Sequence, residues 1–495
     1  MTVARSLLLA SFAIACGGDT KSTGEPALPV DSGGSGSGDD SGGSGDDSGG
    51  DDSGGDTGGD TGGDSGGDTG SGADGEWAVI GGIYGGQYVE GVAVAPTGDV
   101  VFGGSFENGI DLGDGGFASH GRDDLLVGVL AGGDGTLDWN VSTGDGGSDV
   151  VYDIAVAPDG SVYATGWFED DLEFPDATLT SKGDYDGFVA RWSADGTFDW
   201  AVQLGGTDDD RMRAVAADDS GVCVAGFTAN GITGLGLPLS ATSLLDGVVV
   251  CLSAAGTPEW GATFGFGGGT APALAITLGP DAVVAGGYFT GELDLGAGRV
   301  ASEGDRDGWV VQWARDGTAM TGLALGATGD QEVLGLAMTP SGPVAVGMWS
   351  GGALPWGDAT TPRGNADGFV LRLSSGLVPE GAHLVGGDGE DEALDVAVGP
   401  SGELAVTGYA DGTLELSSDH PPLGDRDLWL GILDASGWSA SGRYGGAGED
   451  VGRAVSWHPS GDLVVGGTSY GDITIGGTTL VGFGDRDFLL ARVAL

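Results

Sequence analysis

The chain has 495 residues, 74 of them acidic and 17 basic, for a formal charge of −57. A surface this negative opposes nucleic acid and anionic membranes, where affinity rests on Lys and Arg neutralising phosphates. It favours solubility, repulsion between copies and weak recruitment of cations, so a monomer without a nucleic-acid partner is expected.

The first elements in chain order are those of an export signal. Arg5 gives a positive start, Leu7 to Ile14 an apolar core, and Ala13-Ile14-Ala15 a small-residue cleavage site. Cys16 follows at once, and the arrangement resembles the lipobox of bacterial lipoproteins, with Ala13 where that motif usually has Leu. The resemblance implies a diacylglyceryl group on the Cys16 thiol and an anchor at the outer membrane or cell surface. Cleavage at the same bond by ordinary signal peptidase would instead release the protein. No later stretch approaches the ~20 apolar residues that span a bilayer, so the anchor is the only expected membrane contact.

Residues 31–74 are almost wholly Gly, Ser, Asp and Thr. Such a segment cannot bury a core, and its aspartates repel one another, so 16–75 reads as a disordered tether. Flexible-chain scaling gives it a reach of roughly 40 Å. A calcium-binding array is the weaker reading, since such arrays carry aliphatic or aromatic residues that pack on the metal loop.

From residue 76 onward one unit repeats. A tetrapeptide Gly-x-x-Asp begins at Gly121, Gly183, Gly304, Gly364, Gly424 and Gly484, with a degenerate copy ending at Asp246. The aspartates Asp124, Asp186, Asp246, Asp307, Asp367, Asp427 and Asp487 step by 60 to 62 residues, each before an apolar strand. Within one unit, Val151 to Val156 alternates with period two and ends in Ala157-Pro158-Asp159-Gly160. Ser161 to Phe168 alternates again, a longer loop leads to the marker, and Gly187 to Trp192 turns through Ser193-Ala194-Asp195-Gly196 into Thr197 to Val202. Four antiparallel strands with two tight turns and one long loop make a propeller blade. Trp77, Trp139, Trp200 and Trp260 recur in fourth strands, while the fourth strands after Thr318 and Leu377 are weaker.

The ends of the repeat region fix its closure. It opens on Glu76-Trp77-Ala78-Val79-Ile80, which matches a fourth strand, and closes on Asp487 to Val493, which matches a third. The expected fold is all-β: a seven-bladed propeller over 76–495, closed by pairing the N-terminal strand with the last three, so that no sheet edge is left open.

The segment GDYDGFVARWSADGTFDWAVQLGGTDDD followed by RMRAVAADDSGVCVAGF resembles the SBBP (beta-propeller repeat) family of bacterial secreted proteins, and the resemblance covers all seven units. It implies a propeller and an extracytoplasmic setting, and it brings no catalytic residues.

Two readings of the marker aspartates follow from their chemistry. Asp186, Asp307 and Asp367 look like the start of a calcium loop, yet the chain runs straight from each into a strand, without the further ligands and bidentate acid that calcium needs. A residue repeated once per blade is better read as a cap accepting backbone N–H bonds, and no cofactor or metal is expected. Ser469 in Gly467-Thr468-Ser469-Tyr470-Gly471 fits a nucleophile elbow by sequence, but it lies at the end of a strand. His120, His383, His420 and His458 fall in different units with no paired spacing. Cys223 and Cys251 fall in neighbouring strands of one blade, and export makes a cross-strand disulfide available to them. The alternative is two small buried residues, as Val101, Ala345 and Val464 hold the place of Cys223 elsewhere.

The blade-to-blade loops and the long loops share one face, which should be negative and loop-rich. First strands read mainly as Ala, Val, Ile and Gly, with Arg211, Arg213 and Arg453 as exceptions, so no acid, base and nucleophile are expected to meet at the axis. The function expected is a non-enzymatic binding or structural module of the cell envelope, engaging a protein or glycan through its loop face. The alternative is a propeller lyase, hydrolase or quinone-dependent dehydrogenase with a site at the channel mouth.

Overall fold

The computed structural model describes residues 68–71, 75–82, 85–112, 116–296, 298–318, 320–356, 361–483 and 486–495. The expected signal peptide, Cys16 and most of the expected tether lie outside the described residues. Among those described, no helix is long and apolar enough to cross a membrane.

The architecture is an all-β, seven-bladed propeller of four-stranded antiparallel sheets. Blade 1 is Gln87–Val94, Val100–Ile110, Phe117–Leu130 and Leu137–Thr143, and blade 2 is Asp149–Val156, Val162–Phe168, Asp186–Trp192 and Phe198–Leu204. The same order repeats to blade 7, whose first three strands are Asp450–Trp457, Leu463–Tyr470 and Arg486–Val493. Its fourth is the N-terminal Trp77–Gly81, paired antiparallel with Arg486–Val493 from Trp77 opposite Arg492 to Gly81 opposite Phe488. Closure therefore uses the mismatched ends as expected.

Each sheet packs both faces on its neighbours, so second strands such as Val162–Phe168 are buried along their whole length. The core is a set of layers between adjacent blades. Phe102, Val89 and Phe106 of blade 1 meet Leu490 and Val464 of blade 7, while Val189 and Tyr163 of blade 2 meet Met212 and Val215 of blade 3. The recurrent fourth-strand Trp joins blades by a second device. Trp77, Trp139, Trp200 and Trp260 donate their indole N–H to the carbonyls of Gly132, Ala194, Ala254 and Arg315 in the next blade's turn, at 3.1, 3.3, 3.1 and 2.9 Å.

Two features differ from the sequence reading. The long loops fold back as short ribbons, for example Asp171–Phe174 with Ala177–Thr180, which bury Leu172, Phe174 and Leu179 and stack Phe174 on Phe198 at 4.9 Å. They cover the otherwise bare outer part of the blade. Asp68–Ser71, within the expected tether, also pairs with Trp77–Gly81 as a fifth strand. An outer strand offers a free row of N–H and C=O groups, and even a sequence without apolar side chains can satisfy it.

Candidate functional site

The axis is shaped by a defect repeated in every first strand. The register between first and second strands slips between Val89 and Gly91, Val151 and Asp153, Met212 and Ala214, Ala273 and Ala275, Val333 and Gly335, Ala393 and Asp395, and Gly452 and Ala454. Each slip is a β-bulge, which re-aims one side chain. It also presses a first-strand carbonyl onto the second strand, where a Cβ at Gly104, Gly166 or Gly226 would collide with the carbonyl oxygens of Tyr88, Val150 and Arg211. This is why the second strand keeps a glycine at that place.

The bulges bring Glu90, Tyr152, Arg213, Leu274, Leu334 and Arg453 to the wall of an axial cavity of about 220 Å³. One side is polar: Arg453 pairs with Glu90 at 3.3 Å and the Arg213 guanidinium lies 3.8 Å from the Tyr152 ring centroid. Leucines form the other. Asp153 and Asp395 latch neighbouring blades, accepting the amides of Val215 and Val455 at 2.7 and 2.8 Å. Burial, with the Asp395 carboxylate adding to it, pushes Asp153 up to about 7. Unlike ionisable groups do gather at the axis, contrary to the sequence reading, because a bulge overrides the simple alternation of a strand. Arg211 is not among them. It sits over Trp167 and Tyr185, 4.7 and 4.4 Å from their ring centroids, and pairs with Asp209 at 2.8 Å.

The loop face carries the larger relief. Between blades 6 and 7 a depression of about 620 Å³ is lined by Asp425, Gly448, Glu449, Tyr470, Asp472 and Arg486. Tyr470 is 47% exposed and Leu423 52%. Negative charge is less confined to this face than expected. Asp134, Asp195, Asp316 and Asp434 stand in the turns of the opposite face, where each accepts the amide two residues on. Turn chemistry needs those carboxylates on that side.

All seven marker aspartates share one geometry. Each carboxylate accepts the backbone amide four residues earlier: Asp124 from His120, Asp186 from Lys182, Asp246 from Thr242, Asp307 from Glu303, Asp367 from Arg363, Asp427 from Leu423 and Asp487 from Phe483. The distances run from 2.5 Å at Asp246 to 3.4 Å at Asp367. Asp427 also holds Arg443 at 2.6 Å. Among the described residues, no group of three or more His, Cys, Asp or Glu is placed to hold a metal ion. Replacing Asp186 by Ala leaves the Lys182 amide and the Gln203 side chain without this acceptor, an expected loss of about 1–3 kcal/mol by denaturant titration. A saturable rise in melting temperature at micromolar calcium, lost in this variant, would instead make Asp186 a metal ligand.

The remaining sequence candidates are dispersed. Ser469 is buried in a second strand and donates to Asp450 at 2.5 Å. His120 faces Asp124, His420 faces Ser441 and His458 faces Ser460. Cys223 and Cys251 lie directly opposite each other on paired strands and are joined by a disulfide, with Cα atoms 4.1 Å apart.

Comparison with known proteins adds similarity without a family assignment. No family model matches the chain. The regulatory protein FlaEY of Caulobacter vibrioides is 27% identical over 314 residues, 58% of this chain and 32% of that protein; the chain thus spans about a third of its length. Among solved structures, the Dos1 propeller aligns at 13% identity over 82% of this chain and 93% of its own, with a TM-score of 0.40. BamB from Moraxella catarrhalis aligns at 12% over 86% and 93%, with a TM-score of 0.34. Quinohemoprotein alcohol dehydrogenase from Comamonas testosteroni aligns at 11% over 78% and 65%, with a TM-score of 0.36.

Proposed function

We propose that this is an exported cell-envelope protein of the SBBP type, lipid-anchored through Cys16 and acting as a monomeric, non-enzymatic binding module. Its partner is a protein segment that presents a basic side chain beside an apolar one. The observation that carries the reading is the depression between blades 6 and 7, where exposed Tyr470 lies among Asp425, Asp472 and the Glu449–Arg486 pair, 3.7 Å apart. An exposed aromatic supplies apolar contact at low entropic cost, and flanking carboxylates select positive charge. The anchor and tether are supported by residues 1–74, whose composition suits display of the propeller at the outer membrane or cell surface, or secretion if Cys16 is not acylated.

Titration calorimetry tests the site with a Lys- and Leu-containing peptide against its Glu-substituted counterpart. The basic peptide alone should bind, more weakly as salt rises, and the combination of Tyr470→Ala with Asp472→Asn should abolish binding while leaving the melting temperature near that of the parent. Equal binding of the two peptides would sink the reading. The gathering of Glu90, Tyr152, Arg213 and Arg453 in one cavity supports a second reading, a propeller enzyme of the lyase, hydrolase or quinone-dependent class.

A further inference from the structure

Four blade junctions hold a second buried acid. Asp149, Asp210, Asp391 and Asp450 open the first strands of blades 2, 3, 6 and 7, and all four are fully buried. Each repeats the marker's bond, accepting the amide four residues earlier: Asp145 at 3.2 Å, Gly206 at 2.6 Å, Gly387 at 2.7 Å and Gly446 at 2.8 Å. At three of these junctions two carboxyl groups, one from each blade, converge on the glycine that ends the fourth strand, while between blades 2 and 3 Asp186 crowds Gly205 and Asp210 Oδ2 lies 3.4 Å from a Cβ on the next glycine, Gly206. A Cβ on Gly144 would lie 2.7 Å from both Asp124 Oδ1 and Asp149 Oδ2, and one on Gly386 would lie 2.7 Å from Asp391 Oδ2 and 2.8 Å from Asp367 Oδ1. At Gly445 the two oxygens are Asp427 Oδ1 and Asp450 Oδ2. The marker oxygens Asp124 Oδ1, Asp186 Oδ1 and Asp427 Oδ1 are buried with no hydrogen-bond donor.

Two carboxylates this close in a dry site cannot both ionise without a large cost, whereas one proton between them removes a charge and gives the orphan oxygen a donor. The other junctions show the same requirement met by neutral residues. Gln331 stands at the first-strand position in blade 5 and accepts the Ala327 amide at 2.8 Å through Oε1. Gln87 stands at that position in blade 1, where a Cβ on Gly82 would lie 2.5 Å from Asp487 Oδ1 and 2.7 Å from Gln87 Oε1. Ala271 holds the place in blade 4.

We propose that each Asp–Asp junction is a proton-binding site, one proton being shared between the marker carboxyl and the first-strand carboxyl, and that these protons hold neighbouring blades together while they are bound. Burial, with the neighbouring carboxylate adding to it, pushes Asp149 up to about 9, Asp210 and Asp391 to about 7 and Asp450 to about 6. The order follows the surroundings. Asp149 faces Asp145 and Asp124, with His120 on the far oxygen of Asp124. Asp210 faces Asp186 and Asp209, with Lys182, Gln203 and Thr228 alongside. Asp391 faces Asp367, with Arg363 and Arg443 beyond. Asp450 has the Arg443–Asp427 pair and the Ser469 hydroxyl beside it.

The sign follows from linkage. Folded values above the ordinary 3.8 mean that the folded protein holds protons the unfolded chain has released, so this stabilisation is complete at acid pH. It is lost progressively as pH rises from the ordinary 3.8 to the folded values of about 6 to 9. The test is the combined variant Asp149→Asn and Asp210→Asn, whose amides keep the shape and need no proton. The pH dependence of its unfolding constant near pH 6 should show about two fewer protons taken up on folding. Unchanged uptake would overturn the proposal, as would a micromolar-calcium requirement for stability that the variant loses. Should the variant not fold, the infrared band of protonated carboxyl groups in the unsubstituted protein at pH 7 decides. Its presence in the folded state and loss on unfolding are expected; its absence overturns the sharing.

Discussion

Removal of Trp77–Gly81 should unfold or aggregate the propeller. The segment supplies the outer strand of blade 7, and all five of its residues are buried. Burying a large apolar side chain contributes about 1.5–3 kcal/mol, so Trp77, Val79 and Ile80 alone represent much of the roughly 5–15 kcal/mol that holds a domain folded. The loss reaches beyond one sheet. Trp77 donates to Gly132 in blade 1 at 3.1 Å, and Arg492, on the strand it pairs with, donates to the same carbonyl at 2.6 Å. Without the segment the Arg486–Val493 edge is open for pairing with another chain. Limited proteolysis and light scattering check this: rapid cleavage and rising scatter are expected, and a truncated protein that melts like the parent would refute ring closure as the stabilising device.

The disulfide should carry the second large effect. Cys223 and Cys251 are separated by 28 residues and joined across the second and third strands of blade 3. A cross-link closing a loop of that size restricts the unfolded chain and is worth about 3 kcal/mol. Reductant should therefore lower the denaturation midpoint of the unsubstituted protein, while a variant with both cysteines replaced by Ala should begin lower and not respond. A midpoint indifferent to reductant would show that the bond contributes nothing. Local context favours a modest rather than a catastrophic loss, since Val101 and Val464 fill the place of Cys223 in other blades without any link.

Much of this molecule is written along the chain. The period of the marker aspartates, the turn signals and the mismatched ends set seven blades and their closure, because strand alternation and turn chemistry are local properties that repetition amplifies. The marker aspartate is legible too, since it bonds an amide only four residues away. Three things were decided by the tertiary structure. The bulges that turn Glu90, Tyr152, Arg213 and Arg453 toward the axis leave no local signature except the glycine opposite them on the second strand, so the sequence shows charged residues in first strands but not that they meet. The ribbons that cover the outer strands, such as Asp171–Phe174, alternate visibly, but their partner is an outer strand that only the assembled sheet provides. Asp149, Asp210, Asp391 and Asp450 lie 23 to 25 residues after the marker aspartates they face. That spacing means nothing until one blade is packed on the next, because the closeness of two carboxyl groups across a junction is a property of the ring and not of any single repeat.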